Sequence, residues 1–323
     1  MVVIVTGVAG YVGAHVARAL LENGHEVWGI DNLSTGKREF LDSRIKFFLG
    51  DICDLDFISQ VFSKINYPTK CGVVHFAGVK FPEESVVNPS KYFEINTGGT
   101  LNLLRAMDLF QIRALVFSSS CSVYGNPSNG KKVSEKLELN PVSPYGHSKL
   151  LAEKVISVTS NYSELRAVSL RYFNVAGNSH PFAFDISPRN IFPNMFRAAS
   201  VGSKFQVYGK DFPTPDGSCI RDYVHIDDLT QAHVTALEKI MFGESLLDAY
   251  NIGSGTGFSV IEILETFKRE FVPDFRYEFS ERREGDPSQI YADISAAEQD
   301  LGWVPKNDLI QIIQSGWSAW NHA

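Results

Sequence analysis

The chain alternates between short β-branched runs and longer segments in which apolar residues recur every three or four positions. The short runs are typical of strands buried on both faces, and the longer spacing is typical of helices with one apolar face. The predicted strands are Val2–Val5, Glu26–Ile30, Ile45–Leu49, Gly72–Phe76, Ala114–Phe117, Leu165–Leu170, Phe205–Tyr208 and Tyr250–Ile252. The predicted helices are a segment with Val12, Val16, Ala19 and Leu20 on one face, then Pro89–Gln111, Leu150–Ile156, Asn190–Val201, His225–Leu237, Val260–Phe271 and Leu309–Trp320.

The first predicted strand runs into a turn with glycine at every third position. Gly7, Gly10 and Gly13 give the spacing Gly-x-x-Gly-x-x-Gly, and Tyr11 and Val12 lie within it. Glycine lets the backbone approach a pyrophosphate, which then sits on the N-terminus of the following helix. Strand, turn and helix together predict the opening of a dinucleotide-binding unit, so these five residues are candidate cofactor contacts.

The second predicted strand leads into Asp31 and Asn32. A carboxylate at this point can accept hydrogen bonds from an adenosine ribose diol and would repel a 2′-phosphate, so we predict NAD rather than NADP. Asp51 and Ile52 follow the third strand, where they are placed to reach an adenine edge. The alternative is an ordinary strand–helix–strand loop with an aspartate at the end of a strand.

The fourth predicted strand ends in Phe76 and continues through Ala77 and Gly78, small residues that let a cofactor lie close. Lys80 follows as a candidate contact to cofactor or substrate, and a solvated loop lysine is an equal alternative. Asn96, within a predicted helix, is expected to face the sheet or the cofactor. A buried structural asparagine is equally plausible there.

The fifth predicted strand runs into a cluster of serines that includes Ser118, Ser120 and Ser122. Active residues of an open parallel sheet collect at the carboxyl ends of the strands, so one of these serines could hydrogen-bond a reacting hydroxyl. Serine clusters are usually polar turns. The pair Tyr145 and Lys149, further along the chain, raises this cluster above that background.

Tyr145 and Lys149 lie four residues apart on one face of a helix that Ser143 can cap and whose first turn accommodates Pro144. A free tyrosine holds its proton to about pH 10. Because a nearby ammonium favours the phenolate, we expect Tyr145 to work as a base near neutrality. The spacing alone is weak support, and the cofactor turn and the serine cluster strengthen it.

Composition narrows the possible partners and compartment. The 323 residues are 44% hydrophobic and 21% charged, with a net charge of −7 and no long basic run. This balance argues against nucleic acid or an anionic membrane as a partner. Four scattered cysteines lack metal-ligand spacing, so we predict no metal and a reducing, cytoplasmic compartment.

Together these segments resemble the extended short-chain dehydrogenase/reductase superfamily and, within it, the family of UDP-glucose 4-epimerases, over nearly the whole chain. The glycine turn and the Tyr/Lys pair are features of the superfamily as a whole. The segments typical of nucleotide-sugar enzymes are Phe76-Ala77-Gly78-Val79-Lys80, Arg221-Asp222-Tyr223 and Arg282-Arg283-Glu284-Gly285-Asp286.

The resemblance implies an α/β fold, with a Rossmann-type doubly wound parallel sheet and a smaller, discontinuous substrate-binding α/β domain. We expect an NAD-binding domain of residues 1–175 and 222–253. The nucleotide-sugar-binding domain would comprise residues 176–221 and 254–323. The resemblance also implies a homodimer formed through the helices Pro89–Gln111 and Leu150–Asn161.

Residue by residue, the resemblance makes Tyr145 the base and Lys149 its activator and a ligand of the nicotinamide ribose. Ser120 aligns with the serine that binds the substrate hydroxyl, Ser122 takes the position of a second hydroxyl donor, and Phe173 would touch the nicotinamide. Arg221 and Arg283 would grip the diphosphate through their planar guanidinium groups, and Ile290 falls where relatives set the pocket width. The expected substrate contacts are Lys80, Ser120, Tyr145, Phe173, Asn174, Asn190, Ile191, Gln206, Val207, Tyr208, Arg221, Arg283, Asp286 and Ile290.

The leading hypothesis is inversion at C4 of a UDP-hexose, through transient oxidation to a 4-keto sugar and return of the hydride to the other face. An epimerase of a UDP-N-acetylhexosamine or a UDP-uronate is the nearest alternative. A nucleotide-sugar 4,6-dehydratase is less favoured because Cys121-Ser122-Val123 offers no carboxylate. A catalytically silent NAD-binding regulator would be expected to lose Tyr145 or Lys149, and both are present.

Overall fold

The structure, a computed structural model, describes residues 1–67, 70–127, 131–180, 183–283 and 286–322. Seven parallel strands form its central sheet: β1 (Val2–Thr6), β2 (Glu26–Asp31), β3 (Lys46–Leu49), β4 (Cys71–His75), β5 (Ala114–Ser120), β6 (Arg166–Tyr172) and β10 (Ala249–Ile252). They lie in the order β10-β6-β5-β4-β1-β2-β3. The strand order reverses between β1 and β4, and the carboxyl ends of strands at such a point open a crevice.

Helices cover both faces of this sheet. The helices on one face are α1 (Tyr11–Glu22) and α8 (Ile226–Met241), and those on the other are α2 (Leu55–Phe62), α5 (Gly99–Leu109) and α6 (Pro144–Asn161). Successive side chains of a strand point to opposite faces, so Val3 and Val5 of β1 join the core under α1 and α8, whereas Ile4 joins the core under the other helices. The predicted Rossmann-type fold is confirmed.

The second half adds a smaller layer of sheet and helix. Its sheet contains β7 (Asn174–Ala176), β9 (Ile220–His225), β11 (Gly257–Ser259) and β13 (Gln289–Ile290), and β9 pairs with the other three. A separate parallel pair contains β8 (Phe205–Tyr208) and β12 (Tyr277–Ser280). Three helices, α7 (Ile191–Val201), α9 (Val260–Glu270) and α10 (Leu309–His322), pack around an aromatic core centred on Phe196 and Phe267.

Two predictions about boundaries need correction. The predicted helix Pro89–Gln111 is not one regular α-helix, because α4 (Pro89–Tyr92) passes into a π-helical segment, Phe93–Gly98, before α5 begins. The predicted domain boundary after Arg221 falls inside β9. Residues 222–225 therefore pair within the second sheet rather than the central one. The division into two domains otherwise stays a prediction.

Short helical segments complete the described chain: α3 (Pro82–Val87), 3₁₀ turns at Arg38–Phe40 and Cys121–Tyr124, and a π-helical turn at Ala297–Leu301. Throughout the described ranges, every helix falls short of the length and apolar character that crossing a bilayer requires.

The turn between β1 and α1 lies so close to its neighbours that side chains are excluded. Gly7 has φ +71°, and a Cβ on it would stand 2.7 Å from Ala77 N. A Cβ on Gly13 would stand 2.1 Å from the carbonyl oxygen of Gly7. Because real atoms do not approach this closely, both positions require glycine, and the N-terminus of α1 is held against the end of β4.

We therefore expect Gly13→Ala to lower the free energy of unfolding by about 1–3 kcal/mol, the usual cost of an overpacked site. Urea denaturation checks this. The matched control is Gly98→Ala, because a Cβ on Gly98 would have Phe93 O, at 3.8 Å, as its nearest neighbour. A Gly13→Ala protein as stable as the wild type would contradict the crowding seen at this turn.

Candidate active site

Asp31, at the carboxyl end of β2, is fixed by two backbone N–H groups. Its Oδ2 accepts a hydrogen bond from Ala9 N at 3.0 Å, and its Oδ1 accepts one from Leu33 N at 2.7 Å. Burial raises the pKa of this carboxyl. Each oxygen keeps a second acceptor position, so Asp31 can hold the glycine turn through Ala9 and also accept from a ribose diol. The sequence analysis missed the first of these roles.

The structure brings Asn32 and Asp51 together beside this carboxylate. Asn32 Nδ2 donates to Asp51 Oδ2 at 2.7 Å, and Asp51 Oδ1 accepts from Cys53 N at 2.8 Å. Ile52 differs, because its side chain is buried in the core and lies against Gly99. That side chain is therefore not available to an adenine ring.

These residues fit a dinucleotide. Gly10 is the N-cap of α1. It has no side chain, so it offers no side-chain acceptor to the first backbone N–H groups of the helix. The crowding at Gly7 and Gly13 keeps Cβ atoms out of the turn. The Tyr11 hydroxyl donates to Gly177 O at 2.6 Å, which holds its side chain away from the turn. A pyrophosphate on the N-terminus of α1 and a ribose on Asp31 suit this geometry.

Asn96 holds the loop that follows β4. Its Oδ1 accepts from Val79 N at 2.8 Å, and its Nδ2 donates to Val79 O at 3.0 Å and to Ser148 Oγ at 2.9 Å. The structure therefore favours the alternative of a buried structural asparagine. Gly78 passes directly above it, because a Cβ there would stand 2.7 Å from Asn96 Oδ1. Lys80 is exposed, with Nζ 5.9 Å from the centre of the Phe81 ring.

The predicted hydroxyl groups meet at the carboxyl end of β5. Ser120 Oγ donates to Ser122 Oγ at 3.1 Å, and the Ser120 hydroxyl lies near enough to the Tyr145 phenol to influence its pKa. Ser143 caps α6 by accepting from Gly146 N at 3.1 Å, which fixes the first turn of the helix and the phenol on it. Lys149 Nζ donates to Ser118 O at 2.8 Å, one helical turn further on.

The electrostatics of Tyr145 differ from the expectation. Burial raises the pKa of Tyr145 to about 12, and the Ser120 hydroxyl opposes this shift only in part. Burial also lowers the pKa of Lys149 to about 8. Desolvation therefore opposes the phenolate in the chain without ligand, and the role of Tyr145 as a base near neutrality stays a prediction.

Two pairs of predicted substrate contacts come together in the second half. Arg221 Nη2 lies 3.6 Å from Asp286 Oδ1, and the Arg283 guanidinium lies 3.9 Å from the centre of the Tyr208 ring. Asn174 Nδ2 donates to the carbonyl oxygen of Asp222 at 2.9 Å, beside Arg221. Of the segment Arg282-Arg283-Glu284-Gly285-Asp286, Glu284 and Gly285 lie outside the described residues.

The remaining predicted substrate contacts do not all lie in one place. Phe173 and Ile290 pack in one buried cluster with Val123, next to the serines. Asn190 is the N-cap of α7, and its Nδ2 donates to Asp185 at 2.6 Å, with Ile191 following it. Gln206 Nε2 donates to Glu278 at 2.5 Å. Val207 is buried in the aromatic core, so its side chain cannot touch a base.

Asp222 is an organising residue that the sequence analysis did not single out. This fully buried carboxylate accepts from Ser254 N at 2.6 Å, Gly255 N at 3.1 Å and Ala292 N at 3.0 Å. It joins β9 to two loops and so positions the neighbouring Arg221. Its place in the segment Arg221-Asp222-Tyr223 was the sequence signal that could have identified it.

A buried ion pair behind the serines was also missed. Arg171 Nη2 lies 2.7 Å from Glu153 Oε2, and Glu153 accepts a hydrogen bond from Ser119 Oγ. Glu153 follows Lys149 by four residues on the same helical face, and that spacing was the signal that could have revealed it.

A glycine turn fitted to a dinucleotide and a Ser/Tyr/Lys set at the carboxyl edge of a parallel sheet define a nucleotide-dependent enzyme that acts on a substrate hydroxyl. The chain belongs to the NAD dependent epimerase/dehydratase family, whose model matches residues 3–253. This confirms the family resemblance, and it confirms NAD as the cofactor.

Known relatives match almost the whole chain. A UDP-glucose 4-epimerase of Lacticaseibacillus casei is 41% identical, covering 98% of this chain and 96% of the relative. A crystal structure of UDP-glucose 4-epimerase from Brucella ovis in complex with NAD is 37% identical with a TM-score of 0.91, covering 99% of this chain and 98% of that one. The UDP-glucose-4-epimerase from Stenotrophomonas maltophila, with bound NAD and formylated UDP-arabinopyranose, is 32% identical with a TM-score of 0.93 and the same coverage.

The lowered pKa of Lys149 predicts how stability depends on pH. The unfolded lysine keeps its proton up to about pH 10.4, whereas the folded one loses it near pH 8. Between these values the unfolded state binds more protons, so the contribution of Lys149 to stability rises with pH. For protein stripped of NAD, we expect this contribution to grow by about 3 kcal/mol across that window.

Urea denaturation of wild type and Lys149→Met from pH 7 to pH 10 measures this contribution as the difference between their slopes. Lys154→Met, at an exposed lysine of the same helix, is the control and should run parallel to the wild type. Parallel curves for Lys149→Met would show that the ammonium is not desolvated.

Proposed function

We propose that this chain is an NAD-dependent 4-epimerase of UDP-hexoses that interconverts UDP-glucose and UDP-galactose through a 4-keto sugar. The observation that carries the proposal is the gathering of Ser120, Ser122, Tyr145 and Lys149 at the carboxyl end of β5. Nearly full-length similarity to UDP-glucose 4-epimerases supports the choice of substrate.

Tyr145 removes the proton of the sugar 4-hydroxyl, and Ser120, which lies near the phenol, orients that hydroxyl. NAD, when bound, would accept the hydride from C4 and later return it. The Lys149 ammonium, one helical turn from Tyr145, favours the phenolate. When the sugar is reduced again, Tyr145 returns the proton to the oxygen on C4.

Inversion also requires that the sugar turns while its diphosphate stays bound. Arg221 is partly buried, and Asp286 and the carbonyl oxygen of Ile220 constrain its guanidinium. Arg283 is stacked on Tyr208, and Asn174 is anchored to the backbone of β9. These side chains hold the diphosphate while the sugar ring turns to present its other face to the cofactor.

The alternatives have less support. A 4,6-dehydratase needs an acid beside the reacting sugar, and Cys121–Tyr124, the 3₁₀ turn after β5, contains no carboxylate. A silent NAD-binding regulator has no use for a buried tyrosine near a serine pair and a buried lysine. An epimerase of an N-acetylated or uronate sugar uses the same chemistry. Product analysis on a panel of UDP-sugars distinguishes it.

We predict that the purified chain converts UDP-galactose to UDP-glucose without added NAD, because the cofactor is regenerated in each turnover. NMR of products from a panel of UDP-hexoses, UDP-N-acetylhexosamines and UDP-uronates gives the sugar preference. Tyr145→Phe should lower turnover by about 10²–10⁴-fold, the usual share of a general acid–base group, and keep NAD bound.

The control for this variant is Tyr162→Phe, because Tyr162 is an 89% exposed tyrosine at the end of the same helix. If no UDP-sugar reacts with or without added NAD, the proposed activity is wrong. Undiminished turnover in Tyr145→Phe would instead show that another group is the base.

We further propose that the chain forms a homodimer through α5 and α6. These adjacent helices expose apolar side chains on their outer surface: Leu101 at 37%, Leu109 at 67%, Leu151 at 43% and Val158 at 58%. Single exposed leucines are ordinary, but four on two neighbouring helices form a patch suited to a partner.

Sedimentation velocity should show a dimer for the wild type and a monomer for Leu151→Glu/Val158→Glu, because two charges would be buried without partners in the interface. Leu247→Glu, at a leucine that is 48% exposed outside these helices, should leave the dimer intact. A monomeric wild type would rule the interface out.

We also infer a cytoplasmic location. All four cysteines are free thiols, and two of them, Cys71 and Cys219, are buried. A chain kept stable by cores rather than disulfides suits a reducing compartment, and subcellular fractionation with a specific antibody tests this location.

A further inference from the structure

The segment Ser119–Tyr124 carries both hydroxyl groups of the site and is tied at each end to one buried ion pair. We propose that Glu153 and Arg171 are positioning residues, which hold Ser120 and Ser122 in place for the sugar hydroxyl. The proposal rests on the function proposed above, and it assigns to this pair a role in turnover rather than in substrate binding.

The first tie is made by Glu153, two helical turns after Tyr145 and one after Lys149 on α6. Its carboxylate is 7% exposed and accepts hydrogen bonds from Arg171 Nε at 3.0 Å, Arg171 Nη2 at 2.7 Å and Ser119 Oγ. Ser119 immediately precedes Ser120. The carboxylate therefore fixes the end of β5 against the helix that carries the base.

The second tie is made by Arg171, which lies on β6 directly opposite Ser119 in the strand register. Its remaining terminal nitrogen, Nη1, donates to Tyr124 Oη at 3.0 Å, and that hydroxyl donates to Asn251 Oδ1 at 2.7 Å. Tyr124 ends the 3₁₀ turn that carries Ser122. One guanidinium therefore reaches both ends of the segment, and Asn251 anchors it to β10.

Stability alone does not explain a buried ion pair at this point. Desolvation of two charges costs about as much as their attraction returns, and an apolar pair of similar size is often at least as stable. What the charged pair adds is direction, because hydrogen bonds fix hydroxyls at set angles and apolar contacts do not. The groups it directs, Ser119 and Tyr124, flank Ser120 and Ser122 in the chain and make these hydrogen bonds to the ion pair rather than to Arg221 or Arg283.

Removing the Ser119 hydroxyl or the Tyr124 hydroxyl, one at a time, tests the positioning role with little risk to the fold. In Ser119→Ala and Tyr124→Phe we expect kcat on UDP-galactose to fall by between about tenfold and a hundredfold, the cost of a small misplacement, with KM within about twofold of the wild type. Ser119→Thr restores the hydroxyl and should restore kcat. Ser157→Ala is the control, because it removes a 2.6 Å bond to Asp248 from the same helix without touching the ion pair.

Hydrogen exchange gives a readout that does not depend on the substrate. Backbone amides of residues 120–125 should exchange about tenfold faster in Ser119→Ala and Tyr124→Phe than in Ser157→Ala, with the amides of α6 unchanged. The double variant Glu153→Met/Arg171→Met, which removes both charges of the pair together, should fold, retain NAD and show the same local loosening.

The outcomes separate the two hypotheses. Unchanged kcat and unchanged exchange in the hydroxyl variants would overturn the positioning role, as would a rise in KM with kcat preserved. A wild type that acts on no UDP-sugar would refute the proposed function, and the exchange rates would still decide whether the ion pair orders the serine segment.

Discussion

Two stretches of backbone touch at the carboxyl edge of the central sheet, where Gly7 lies against Phe76 and Ala77 with no room for a Cβ. The rest of the site depends on this contact. It fixes the N-terminus of α1 at the end of β4, and Asp31 secures the same turn from the other side by accepting from Ala9 N. Any cofactor on this turn therefore has a defined position relative to the loops that follow β4 and β5.

Some buried polar side chains beneath this edge join neighbouring elements through hydrogen bonds. His75, for example, bonds Thr6 Oγ1 at 2.7 Å and Thr100 Oγ1 at 3.0 Å, and burial lowers its pKa to about 3. The ring is therefore neutral and links β1, β4 and α5. The Glu153–Arg171 pair links β5, β6 and α6 in the same way. In both cases a hydrogen-bonded side chain fixes the register of elements that packing alone would allow to slide.

Some features of the fold and the site could be predicted from the sequence, and others could not. The strands of the Rossmann-type sheet were predictable, because a strand buried on both faces must be apolar throughout, as in Val2–Thr6. The place of Ser120 at the carboxyl edge of the sheet was predictable, because active residues collect at the ends of parallel strands. Asn96 and Ile52 were harder, since the choice between facing a ligand and facing the core depends on the path of neighbouring loops. Asp222 and Glu153 were missed because their partners lie far away in the chain.

By itself, the sequence determined the order of elements, the glycine positions and the chemical groups of the site, because these follow from local periodicity, backbone sterics and residue chemistry. Only the tertiary structure decided which of those groups touch and how they titrate. Burial sets the pKa of Tyr145 at about 12 and that of Lys149 at about 8, the opposite of what their spacing on one helix suggested. Desolvation depends on everything packed around a group, and no local pattern of residues contains that information.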